Sequence, residues 1–82
     1  MNICFLTGKI VSDIEYKFVL NSRHITIAIF TLKVDEGCVI KVKAYDKMAD
    51  WCYQKLVKGD FIAIEGKIDN RMEIKVRDIQ IC

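Results

Sequence analysis

No apolar run in the 82 residues approaches the roughly 18 that a membrane-spanning helix needs, and no membrane partner is expected. The chain opens without a basic-then-apolar leader and small-residue cleavage site, so a cytoplasmic protein is expected. It has one histidine, His24, beside a turn, with no serine or cysteine at a spacing that nominates a dyad. The carboxylates Asp13, Glu15, Asp46, Asp50 and Asp60 are scattered, and with the Asp35-Glu36 pair they form no acid–base or metal constellation. Neither enzyme activity nor a small-molecule substrate is expected. None of the four cysteines (Cys4, Cys38, Cys52, Cys82) lies within the gap of about two to four residues that marks a zinc knuckle, and no metal or other cofactor is implied. Cys4 and Cys52 instead fall in apolar stripes, where a reduced thiol acts as a small hydrophobe. Neither sign of charge dominates. A net charge of +2 and a pI of 8.4 permit nucleic-acid binding without demanding it, since the usual basic footprint is a pI above about 9.

What the chain does have is patterning. With 52% hydrophobic and 29% charged residues it reads as one globular domain over 1–82, small enough that its core must be compact or assisted by oligomerisation. Residues 2–11 alternate as a strand, Cys4, Leu6, Gly8 and Ile10 on one face and Ile3, Phe5, Thr7 and Lys9 on the other. Gly8 inside that strand predicts a sharp bend or a close backbone approach, and residues 14–19 alternate again as its continuation. Asn21-Ser22-Arg23-His24 reads as a turn. A second long strand covers 25–34, with Ala28, Phe30 and Leu32 inward and Ile25, Ile27 and Ile29 outward. Asp35-Glu36-Gly37 is a short hairpin connection into a third strand, 39–45, that buries Ile40, Val42 and Ala44. Met48, Ala49, Cys52 and Leu56 then share a helical stripe, with Asp46 as N-cap and Gly59 as the left-handed residue ending the helix. Trp51 is expected to flank the core and Tyr53 to be exposed. A fourth strand, 61–68, points Ile62 and Ile64 inward, and a tight turn at Asp69-Asn70-Arg71 leads to a fifth over 72–82. In that last strand Ile74 and Val76 share one parity and Ile79 and Ile81 the other, which predicts a bulge near Asp78. The order is all-β with one helix between the third and fourth strands: an OB-fold, a five-stranded, partly open Greek-key barrel.

The residues also resemble the bacterial single-stranded-DNA-binding proteins. The likeness runs through 2–10 with Asp13 and Glu15, Phe30-Thr31-Leu32, the block Ala44-Tyr45-Asp46-Lys47-Met48-Ala49-Asp50 with Leu56, Lys58-Gly59-Asp60 and Glu65-Gly66-Lys67, and Asp78-Ile79-Gln80-Ile81. It covers nearly the whole chain in order. The connections at 35–37 and 69–71 are shorter than the family's gripping loops, and Val39 stands where an aromatic is common. No acidic tail follows Cys82, so the likeness is to a minimal member, similar in plan to primosomal replication protein N. The resemblance implies sequence-independent binding of single-stranded DNA in replication, recombination or repair.

The physical case lies on the third strand. Lys41, Lys43 and Tyr45 project together in steps of about 7 Å, offering cations for phosphates and a ring for bases. Lys33 and Thr31 on the second strand join them, and Lys9, Lys17 and Arg23 extend the track. The apolar residues left on the outer faces, Ile3 and Phe5 with Ile25, Ile27 and Ile29, are expected to form an oligomer interface. In the family the first strand takes part in subunit pairing, which implies a homodimer or homotetramer. Two other readings stand beside this one: an OB scaffold that has lost its nucleic-acid site and binds a protein, and an RNA-binding OB domain.

Overall fold

The computed structural model describes residues 3–18, 26–35 and 37–82. The expected turn at 21–24, with Arg23 and His24, and the interface candidate Ile25 lie outside the described residues. Six strands and one helix follow in order: β1 (Ile3–Ile10), β2 (Glu15–Phe18), β3 (Thr26–Asp35), β4 (Cys38–Tyr45), α1 (Lys47–Lys55), β5 (Phe61–Ile68) and β6 (Glu73–Ile81). β1 and β2 are the two arms of the bent first strand, so the count agrees with the five-stranded plan. All the pairings are antiparallel except β4 with β6. β1 closes the barrel by pairing with β5 along its length and with β3 at its end, where Lys9 faces Lys33 and Ile10 faces Leu32.

Alternation fills the inside. Ile10, Leu32 and Ile40 face one another across three strands, as do Phe30, Val42 and Ile74, and all six are buried. The helix covers one end of the barrel with Ala49, Cys52 and the following Leu56, all buried, while Met48 and Trp51 pack partly buried against the same core. Burial pushes the Cys52 thiol up to about 12, so it stays protonated and apolar as the stripe implied.

Two local expectations, both at the ends of the helix, change. Asp46 occupies the N-cap position, but with φ 53° and no side-chain cap; instead its carboxylate accepts the Thr26 N–H at 3.5 Å. Gly59 does adopt positive φ (103°), yet the helix has already ended at Lys55 with Leu56 extended. Gly59 turns the next segment so that its N–H donates to the Ile10 carbonyl at 2.8 Å, docking it on the end of β1. The bulge in the last strand is real: Glu65 pairs with Asp78 and Gly66 with Val76, leaving Arg77 as the extra residue. Ile79 is therefore buried, but Ile81, at the barrel's end, stays 49% exposed.

Two glycines set the closure. A Cβ on Gly8 would run into the Lys33 carbonyl oxygen, and one on Gly66 into the Lys75 carbonyl oxygen. The close approach expected at Gly8 is thus the contact of β1 with β3. Gly8→Ala must push these backbones apart, and overpacking of this kind costs about 1–3 kcal/mol. Urea unfolding followed by circular dichroism should show a loss in that range, and wild-type stability would rule out a tight crossing.

Candidate nucleic-acid interface

Cross-strand register decides which outward side chains become neighbours, because residues directly opposite lie on one face with Cβ atoms about 4.5–5.5 Å apart. On β4 the outward set is Lys41, Lys43 and Tyr45, whose β3 partners are Thr31, Ile29 and Ile27. On the other side the parallel strand β6 places Glu73 opposite Lys41 and Lys75 opposite Lys43, and β5 carries Lys67 opposite Lys75. One row thus reads Ile29, Lys43, Lys75, Lys67 across four strands. The Lys75 ammonium stands over the Tyr45 ring, 5.2 Å from its centroid. Lys43, Tyr45, Lys67 and Lys75 line a shallow groove together with Glu73 and Asp69.

Carboxylates temper this groove. Lys43 is half-buried and pairs with Glu73 at 2.8 Å. That bond raises the Lys43 pKa, against the opposing effect of burial. Asp69 shapes the β5–β6 turn by accepting the N–H groups of Arg71 (2.8 Å) and Glu73 (3.1 Å), bonds that hold its carboxyl below the usual range. The turn therefore fixes where the chain leaves β5 and enters β6 at Glu73, two residues before Lys75.

Of the other residues picked from the sequence, Lys41 is exposed between Thr31 and Glu73. Thr31 is half-buried and donates its N–H to Ser12 Oγ at 2.8 Å. Lys9 and Lys33 face each other further along the same outer surface. Lys17, on β2, pairs with Glu15 at 3.4 Å and lies opposite Ile27, in Tyr45's row but two strands from it. Tyr53 is exposed, as expected, and stacks on Tyr16 at 4.6 Å. The interface set divides. Phe5 is 74% exposed, and Ile3 and Ile29 are half-buried. Ile27 is a correction: only 7% exposed, it is covered within the single chain, in a row between Lys17 and Tyr45. Sequence reasoning missed Lys75, Lys67 and Glu73. The outward parity of Glu73 and Lys75 was legible from the alternation with Ile74 and Val76, and that of Lys67 from Ile62 and Ile64, but only the β4–β6 pairing brings them beside Tyr45. Among the described residues no three His, Cys, Asp or Glu gather as metal ligands do, and no helix is long and apolar enough to cross a membrane.

A family model, the Single-strand binding protein family, matches residues 1–78. The chain belongs to that family. No curated protein sequence matches it. Among solved structures, it is similar to a small single-stranded DNA-binding protein from Streptomyces coelicolor (TM-score 0.86, 17% identity, 100% of this chain and 95% of that one). It is also similar to the SSB domain of a Synechococcus protein (TM-score 0.85, 18% identity, 98% and 94% covered). A third is a mitochondrial single-stranded DNA-binding protein of S. cerevisiae (TM-score 0.85, 13% identity, 99% and 93% covered). At such identities these likenesses establish the fold, and the barrel with its single helix is the family's OB plan.

The Asp69 bonds give a pH test of the turn that frames the groove. A carboxyl whose folded pKa is lowered adds stability above its ordinary value, near pH 4, and loses it as pH falls through the folded value. Asp69→Ala should therefore flatten the acid side of the stability–pH profile measured by urea unfolding. An unchanged acid limb would show that these hydrogen bonds do not hold the turn.

Proposed function

We propose that this chain binds single-stranded DNA without sequence preference, by lysine contacts to phosphates and stacking on Tyr45, in replication, recombination or repair. The observation that carries the reading is the row Lys43, Lys75, Lys67 with Lys75 over the Tyr45 ring. A base stacked at Tyr45 puts its own phosphates within reach of lysine side chains on two adjacent strands. Lys41, Lys33, Thr31, Lys9 and Lys17 continue the cationic face. Family membership supports the same activity. The reading assigns no catalytic residue and no cofactor, and places the protein in the cytoplasm.

Anisotropy of a labelled poly-dT oligomer, titrated at rising salt, tests it. Saturable binding should weaken linearly in log–log form, with a slope of about −3 if four lysines each neutralise a phosphate, at about −0.7 per contact. Tyr45→Ala should weaken binding by about 5- to 100-fold, the worth of one base–aromatic stack. Glu73→Gln should do the opposite, because it removes the carboxylate that competes with phosphate for Lys43: tighter binding and a steeper salt slope. No binding at low salt would turn the reading to a protein partner, and a preference for the matched ribo-oligomer would turn it to RNA.

We also infer that the chain pairs with copies of itself through Phe5, Ile3 and Ile29, as a homodimer or homotetramer. Phe5 is the most exposed large apolar side chain among the described residues. Light scattering should give a multiple of 9.5 kDa that falls on Phe5→Lys; a monomeric wild type contradicts the pairing.

A further inference from the structure

We propose that Phe61 is a second base-stacking platform for the same nucleic-acid strand, set against a phosphate site formed by Lys9 and Lys33 at the far end of the cationic face from Tyr45. The inference rests on the single-strand reading above and extends it to residues that reading does not use.

Register again makes the case. Lys9 has Lys33 directly opposite on β3 and Phe61 directly opposite on β5, and Lys33 has Val39 opposite on β4. Four strands therefore present one outward row: Phe61, Lys9, Lys33, Val39. Like charges directly opposite on a sheet are destabilising, and neither lysine has an ion-pair partner among the described residues. The missing side chain at Gly8 lets the two backbones lie close at the Lys33 carbonyl, and the Lys9–Lys33 pairing sets the two lysine stems side by side. An anion between the ammonium groups removes the repulsion, and a phosphate has the charge for it.

Phe61 gives that anion a particular chemistry. Its side chain is 58% exposed, and it lines a groove with Thr7, Lys9, Lys33 and Asp35. A large exposed ring next to two cations with no ion-pair partner among the described residues suits a base joined to its phosphate. An acidic peptide would use the cations but not the π-face. Lys41, exposed on the row between, links this end to Tyr45. Six residues along β4 and three strand spacings separate the two rings, roughly 24 Å in all at about 3.3 Å per residue and 4.8 Å per strand. One short oligomer cannot cover both, whereas OB-folds commonly occupy about 4–16 nucleotides.

Phe61→Ala and Phe61→Trp, titrated with dT4 and dT15, test the proposal. Phe61→Ala should weaken dT15 by about 5- to 100-fold and leave dT4, held at the Tyr45 platform, much less affected. Phe61→Trp should retain dT15 binding and show indole quenching on saturation beyond any change from Trp51 in the wild type. The site is overturned, with the main reading intact, if wild type binds dT15 while Phe61→Ala binds it equally well, or if the indole at 61 is not quenched. A loss of binding in Phe61→Ala accompanied by a lower mass in light scattering also overturns it, since Phe61 would then join copies of the chain. If wild type binds neither oligomer, the main reading falls and this site with it; binding of an acidic peptide instead would assign the lysine pair to a protein.

Discussion

The barrel depends on one close passage of backbone over backbone. β1 must serve two partners, β5 along its length and β3 at its end, and the chain is only 82 residues long. A strand shared in this way has to bend sharply, and at the bend its backbone presses on the neighbouring strand. Gly8 removes the side chain at that point, over the Lys33 carbonyl. Gly66 does the same over the Lys75 carbonyl, beside the bulge at Arg77. Both contacts fall on residues whose side chains stand on the cationic outer face. The packing that closes the core therefore also fixes the backbone from which two of its lysines rise.

The inner face gains from closure, and the outer face bears a cost. Ile10, Phe30, Leu32, Ile62 and Ile74 lose nearly all their exposure, each worth about 1.5–3 kcal/mol on burial. The same registers line up Lys9 with Lys33, and Lys43 with Lys75 and Lys67, each a like-charge alignment. The chain offsets the second with Glu73 on Lys43 and with the Tyr45 ring under Lys75. Among the described residues it offers no such partner to the first. The two ends of the face thus differ in how much anion they leave room for.

Much of this was legible in the sequence because it is local. Period-two alternation marked the strands and their buried parity; the stripe Ala49, Cys52, Leu56 marked the helix; the parity switch marked the bulge at Arg77–Asp78. The misses are non-local. Ile27 has the outward parity that its alternation implies, but its neighbours in the single chain cover it. Lys75 and Lys67 stayed unassigned because the parallel pairing of β4 with β6 has no sequence signature of its own. A left-handed glycine after a helix usually stops it, but Gly59 serves the next turn, which docks on β1.

The geometry also bears on why such a face should be indifferent to sequence. Base identity is read by hydrogen bonds to base edges, whereas phosphate contacts only position a strand. The outer rows of β3, β4 and β6 offer ammonium groups and the ring of Tyr45, groups that meet phosphates and the flat faces of bases, which all four share. The turns that join these strands are short: Asp35 pairs with Cys38, and Asp69 closes directly onto Arg71 and Glu73. They leave little chain to reach around a strand and interrogate its edges. Among the described residues, recognition has to be done on strands that are already ordered, so there the ordering cost falls on the ligand rather than on the protein. Spacing along the sheet, and not the identity of any base, then becomes the quantity the protein measures.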